Sequence, residues 1–231
     1  SRYPNVSCVI HTATNYGRSG DSVSDIFQAN TEFPLKLMDA ASRHKVPIFI
    51  NTDTILDKYL NLYSFSKSQL LDWGRFFVKH GRISFCNVKL EHFYGPFDDV
   101  SKFSGYVVDS CKRNINQLDL TLGHQKRDFV YIDDVLSAFY LILTHSDEWL
   151  NSFKEFEVGS GKAISIREFV EMVKVKTSSL TKLNFGALTY RQGEIMESVA
   201  DITALRSLGW KCENDVECGL DKLLQVEGAN L

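Results

Sequence analysis

Short apolar runs alternate along the chain with stretches in which apolar residues recur every three or four positions. This alternation predicts strands separated by helices. VSCVIHTA (6–13), VPIFINT (46–52) and ISFCNVKL (83–90) are nearly continuous apolar runs, the pattern of parallel strands covered on both faces. Between the first two, TEFPLKLMDAASRH predicts a helix, with Pro34 tolerable in its first turn. YSFSKSQLLDWGRFFVKHG predicts another, with Phe65, Leu70, Trp73, Phe76 and Phe77 as its apolar positions and a glycine at its end. Past the loop EHFYGPFDD come FSGYVVDSCKR (helix), LDLTL (short strand), DDVLSAFYLILTH (helix), FKEFEVG (strand) and SIREFVEMVKVK (helix). ADITALRSLGW and VECGLDKLLQV supply two more helices. Strands separated by helices predict an α/β fold with a doubly wound parallel sheet.

Composition narrows the class without naming a chemistry. With 231 residues, 44% hydrophobic and 24% charged, the chain has the make-up of an ordinary globular protein with a sizeable core. A formal net charge of -3 and no dense basic block argue against nucleic-acid binding. No apolar run approaches the roughly 20 residues of a membrane span, and SRYPNVSCVI lacks the apolar core of a signal peptide. Five scattered cysteines contain no C-x-x-C pair, so neither a zinc ribbon nor a disulfide framework is indicated. The expectation is a cytoplasmic protein in a reducing compartment, with no membrane partner and no metal site.

None of the fourteen glycines falls into G-x-G-x-x-G or G-x-x-G-x-x-G, the turn on which a doubly wound sheet cradles a dinucleotide pyrophosphate. YGRSGDS offers only G-x-x-G and does not open a helix directly from a strand. Since the first strand reads as internal to a sheet, the chain is expected to lack the opening strands and glycine loop of its fold.

Tyr63 and Lys67 lie four residues apart, hence on one face of their predicted helix. An ammonium near a phenol favours the phenolate, so the pair predicts a lowered Tyr63 pKa suited to proton transfer. Thr52, at the end of FINTDT, could hold a substrate oxygen beside that phenol, because ligands sit at the carboxyl ends of parallel strands. Spacing alone fits a surface pair as well. His11 reads as a packed strand residue, and Asp128, Asp133 and Asp134 as groups that cap and position the helix after FVYI.

The order of the flanking stretches goes further. VIHTAT, NTEFPLKLMDAA, FINTDT, YSFSK, EHFYGP, GHQKRDFVYIDDV, FEVGSGKAISIREF and YRQGEIMESVADITALRSLGW follow one another. In that order they resemble the motifs of the extended short-chain dehydrogenase/reductases, in the epimerase/dehydratase branch acting on nucleotide sugars. The resemblance spans nearly the whole chain. It implies a partial NAD(P)-binding Rossmann domain over residues 1–95. Residues 96–231 would form mainly a smaller substrate lobe, with some segments returning to the Rossmann sheet. It implies NAD or NADP as cofactor, a nucleotide sugar as substrate and a homodimer.

By the same resemblance Tyr63 is the acid/base, Lys67 also bonds the nicotinamide ribose, and Thr52 orients the reacting oxygen. Thr12, Ala13, Thr14, Asn30 and Leu90 line the cofactor, while Arg127 and Arg191 hold the diphosphate of the nucleotide sugar. Two positions depart from the pattern: His92 stands for the usual asparagine, and Lys89 for an arginine. His92 can still donate to a phosphate or sugar oxygen. The run KLEHFYGP is similar to O-antigen deoxysugar synthases of the CDP-abequose and paratose kind.

Dehydratases of this branch follow the catalytic threonine with aspartate and glutamate; here Thr52 is followed by Asp53 and Thr54. With one of the two carboxylates gone, dehydration is disfavoured. A 4-keto reductase is expected, with a 4-epimerase or a catalytically silent binding module as alternatives.

Overall fold

The computed structural model describes residues 6–18 and 20–229. In chain order the elements are β1 (Cys8–His11), α1 (Val23–Phe27), a π-helical turn (Gln28–Glu32), α2 (Phe33–Arg43), β2 (Ile48–Thr54), α3 (Leu62–Lys79), β3 (Ser84–Leu90) and β4 (His92–Tyr94). Then follow α4 (Phe103–Lys112), β5 (Gln117–Leu120), β6 (Lys126–Arg127), β7 (Phe129–Tyr131), α5 (Ile132–Thr144), a 3₁₀ turn (Ser146–Trp149) and β8 (Phe153–Val158). The chain ends through β9 (Ile164–Ser165), α6 (Ile166–Lys176), β10 (Lys182–Phe185), α7 (Thr203–Ser207) and α8 (Val216–Gly228). The chain divides into two units: residues 1–90 with 140–157, and residues 91–139 with 158–231. Among the described residues no helix is long and apolar enough to cross a membrane.

The first unit is built on a four-stranded sheet in the order β1-β2-β3-β8. β1, β2 and β3 pair in parallel, as their apolar runs predict. β8 runs in the same direction: Phe85 N donates to Ser152 O at one end, and Glu91 N to Val158 O at the other. Side chains alternate across a strand, so the register stacks them into rows on one face. Phe49, Phe85 and Phe153 form an aromatic row, with centroids 5.9 and 6.1 Å apart. Two residues further on, Asn51 pairs with Asn87 in register. One face thus passes from aromatic to amide to charged side chains as the strands run towards their carboxyl ends.

α3 packs on this sheet, and the reason is local. Asn61 caps it by accepting from Ser64 N at 2.9 Å, while the Ser64 hydroxyl accepts from Asn61 N. Together they satisfy amides that the first turn leaves unpaired. Buried Gly74 lets the helix approach: a Cβ there would sit 2.6 Å from the Phe85 ring. Ser22 and Asp25 form a similar capping box on α1.

The second unit packs α4, α6 and α8 around Tyr94, Phe129 and Phe169, whose last two rings stack at 4.0 Å. Its strands come in pairs of two to four residues: β4 with β7 and β5 with β10 parallel, β6 with β9 antiparallel. Segments this short leave no readable period, and the pattern of the sequence predicts only β5 among them.

Candidate active site

Beyond the aromatic row the first unit carries a buried polar one. His11 Nδ1 lies 3.0 Å from Asn51 Oδ1, and Asn51 Nδ2 donates to Asn87 Oδ1 at 3.0 Å. Asn87 Nδ2 donates to Asp53 Oδ2 at 2.8 Å and to Glu155 Oε2 at 3.2 Å. Lys89 closes the row on Glu155 Oε1 at 2.7 Å. His11, Asn51, Asp53 and Asn87 are all buried. Asp53 Oδ1 also accepts from Thr54 N at 2.8 Å, so both its oxygens are committed.

Tyr63 and Lys67 lie on the first turns of α3, where this charged end of the sheet meets the helix. The expected lowering of the Tyr63 pKa does not occur. Burial raises it, and Tyr16 and Asp53 add to the rise; hydrogen bonding from the Thr54 and Thr14 hydroxyls works the other way. Desolvation outweighs any help from the ammonium. Lys67 itself, 2% exposed, is pushed down to about 8 by burial, with the Asp53 charge opposing. Among the described residues no hydrogen bond or ion pair is made by its ammonium. The Thr52 hydroxyl donates to His11 O at 2.8 Å, which leaves its oxygen able only to accept from a ligand. Tyr16, which the sequence pattern does not single out, packs on Tyr63 with ring centroids 5.0 Å apart, and the Arg18 guanidinium lies 4.5 Å over the Tyr16 ring.

Asn30 is fully buried in the π-helical turn, a distortion common at functional sites. Its Oδ1 accepts from Thr14 Oγ1 at 3.2 Å and Asn15 N at 2.7 Å, and its Nδ2 donates to Asn15 O and Ser66 Oγ. The residue therefore clamps the loop after β1 onto α3. Thr12 and Ala13 are exposed just past β1, and Leu90 is half-buried at the end of β3.

In the second unit His92 Nδ1 donates to buried Glu91 Oε2 at 2.9 Å, and Ser198 Oγ donates to the other Glu91 oxygen. The Arg127 guanidinium is bound by Glu194 and by Lys126 O. Glu194 closes a turn that starts at Arg191, donating its N–H to Arg191 O at 3.1 Å. That turn brings the two arginine segments together, with Arg191 itself exposed. Glu91 and Glu194 have no signal in the sequence, because each is chosen by the fold. Two aspartates differ from the expected helix caps. Asp128 accepts from Ser160 N and Oγ, Gly161 N and Ala200 N. Asp134 accepts from Glu213 N, Asn214 N and Asn214 Nδ2. Both anchor distant loops, which need carboxylates more than α5 does. Asp133 faces Lys222 at 3.9 Å.

The sequence pattern of the NAD dependent epimerase/dehydratase family matches residues 2–159. CDP-abequose synthase of Salmonella muenchen is 37% identical over 96% of this chain and 78% of its own length. The enzyme of the same name from Salmonella typhimurium is 35% identical over 94% and 75%. Among solved structures, MoeE5 in complex with UDP-glucuronic acid and NAD superposes with a TM-score of 0.85 at 22% identity, covering 97% of this chain and 80% of that one. At that identity the likeness concerns the fold.

Proposed function

We propose a function from one premise: this chain belongs to the NAD-dependent epimerase/dehydratase family. It acts as an NAD(P)-dependent reductase of a nucleotide-linked 4-keto deoxysugar. The observation that carries this reading is the state of Asp53. Elimination of water needs one group to take a carbon-bound proton and another to protonate the departing hydroxyl. Asp53 is bound through both oxygens to Asn87 and the Thr54 amide, and Thr54 offers a hydroxyl where a second carboxylate would be needed. Reduction asks for a single proton donor. The likeness to CDP-abequose synthases supports the same choice.

The residues fit a nicotinamide nucleotide, because the ammonium of the largely buried Lys67 side chain has donors to spend on ribose hydroxyls and Thr12 and Ala13 are open beside β1. Bound there, the cofactor supplies the hydride. Tyr63 gives its proton to the carbonyl oxygen. Its raised pKa keeps the phenol protonated at neutral pH, the state a proton donor requires. Lys67 then lies close to the tyrosinate left behind and stabilises it electrostatically. Thr52 accepts from the new sugar hydroxyl. We assign the diphosphate to Arg127, Arg191 and His92, since a guanidinium fork and an imidazole can each donate to its oxygens. Leu62, Trp73 and Phe76, exposed on α3, fit a homodimer contact, and the enzyme would work in the cytoplasm.

The test is to give the full-length protein a panel of nucleotide 4-keto sugars with NADH or NADPH. Stoichiometric cofactor oxidation is expected, and no 4-keto-6-deoxy product from an intact nucleotide hexose. Formation of that product would overturn the reading. Interconversion of 4-hydroxyl epimers without net cofactor use would make the protein an epimerase.

A further inference from the structure

Between β3 and β4 the chain places a glutamate where water does not reach it. The Glu91 side chain is 0% exposed, and a carboxylate buried without a counter-charge is costly. Its two oxygens have one partner each: Oε2 lies 2.9 Å from His92 Nδ1, and Oε1 accepts from the Ser198 hydroxyl. A hydroxyl carries no charge. Among the described residues the His92 imidazole is therefore the group that can supply a positive charge to the pair.

The same contact sets the direction of the imidazole. Its Nδ1 hydrogen is spent on Glu91, and its backbone is fixed as well, the His92 N–H donating to Asp128 O at 3.1 Å. The Phe129 ring packs against the imidazole edge to face, with centroids 5.9 Å apart. Nε2 has no hydrogen-bond partner among the described residues, and the side chain is 34% exposed. With a proton on both nitrogens, the ring presents outwards an N–H donor carrying a full charge. Ser198 supplies the connection to the arginines. Its N–H donates to Lys126 O at 3.2 Å, and its segment carries Arg191 and the Glu194 that holds Arg127. One buried carboxylate thus ties the imidazole to the strand and the segment that bear the two guanidinium groups.

We infer that Glu91 is a positioning residue: it holds His92 as an imidazolium whose Nε2–H donates to the diphosphate of the nucleotide sugar. This deepens the assignment of the diphosphate to Arg127, Arg191 and His92, and rests on it. A charged donor binds an anion more strongly than a neutral one, and Glu91 is what keeps the charge on the ring. The other ionisable groups on the elements packed against His92 are Lys126 and Arg127 on β6, Asp128 before β7, and Arg191, Glu194 and Glu197 in the segment of Ser198. Arg127 is held by Glu194, and Asp128 by Ser160, Gly161 and Ala200. Lys126, Arg191 and Glu197 are exposed. Glu91 is the charge in contact with the imidazole.

Binding of an intact nucleotide hexose, UDP-glucose or CDP-glucose, to the full-length protein tests this, because its diphosphate stays fully ionised from pH 6 to pH 8.5. Calorimetry in buffers of different ionisation enthalpy counts the protons taken up. The parent should bind more tightly at pH 6 than at pH 8.5, and take up protons at the higher pH. Glu91→Gln keeps the size of the side chain and an acceptor for Nδ1, and removes the charge. It should bind about tenfold more weakly at pH 8, the margin of a charge-assisted bond over a neutral one. Most of that affinity should return at pH 6, where an imidazole protonates without help. His92→Asn should bind with no such pH dependence. An equal loss in Glu91→Gln at both pH values would mean that Glu91 only supports the fold, and would overturn the inference. So would a pH dependence that survives in His92→Asn, or binding by the parent without proton uptake anywhere in the range; neither of these needs the Glu91 variant to fold. If the hexoses do not bind, or bind Arg127→Leu as they bind the parent, the diphosphate assignment falls and the role of Glu91 with it. Proton uptake by a protein that reduces no keto sugar would remove the reductase reading alone.

Discussion

At position 63 the surroundings of the phenol matter more than its partner on the helix. Two residues a turn apart invite the view that lysine lowers the tyrosine pKa, yet burial dominates both and pushes each towards its neutral form. A neutral phenol that donates on demand is what ketone reduction uses. Tyr63→Phe in the full-length protein should therefore leave nucleotide-sugar binding nearly intact and lower turnover by at least about a hundredfold. Unchanged turnover, measured by NAD(P)H oxidation, would remove Tyr63 from the chemistry. The spacing of Tyr63 and Lys67 and the order of motifs around them are legible in the sequence. The direction of the pKa shift is not, because it depends on how deeply α3 seats. Nor is the approach of Tyr16, Thr14 and Thr54 to the phenol, which requires the loop after β1 to fold back under the Asn30 clamp.

Among the elements, those that lie in a continuous apolar run or carry a long helical period were legible, and most of the short paired strands were not. β1, β2, β3 and α3 announce themselves by continuous apolar runs or by helical period over many residues. β6 and β9 have two residues each and exist because neighbouring segments meet. α1 and the π-helical turn before α2 also escape the pattern, since five residues each are too few to show a helical period. The junction of α3 and β3 offers a test of packing against propensity. In an exposed helix, Gly→Ala stabilises by roughly 0.5–1 kcal/mol. At Gly74 the added Cβ would meet the Phe85 ring at 2.6 Å, and Phe85 is fully buried between Phe49 and Phe153. Overpacking of this kind costs about 1–3 kcal/mol, which outweighs the helical gain. Gly74→Ala should lower the urea midpoint with an unchanged slope; a raised midpoint would mean that the ring moves aside freely.

Over the whole molecule, the buried ionisable groups set a stability profile with opposing limbs. Lys67 has a folded pKa of about 8 against the 10.5 of an unburied lysine. Between those values the unfolded chain holds a proton that the folded one lacks, so stability rises with pH. The thiols do the reverse. All five cysteines are free, and burial raises Cys8 to about 11, lifts Cys86 and Cys111, and with the Asp134 charge takes Cys212 to about 12. Their stabilising contribution is whole below pH 9 and is lost as pH climbs from there through the folded values, because only the unfolded thiols ionise early. One lysine gains over part of the range in which four thiols lose. The free energy of unfolding should therefore rise slightly from pH 8 to 9 and fall clearly by pH 10.5. Chemical denaturation in a reducing buffer at pH 7.5, 9 and 10.5 measures it. Lys67→Met should abolish the rise and keep the fall, because it removes the proton bound in the unfolded chain while leaving the thiols in place. A steady increase to pH 10.5 would mean that the thiols ionise as readily folded as unfolded, and that their burial does not protect them.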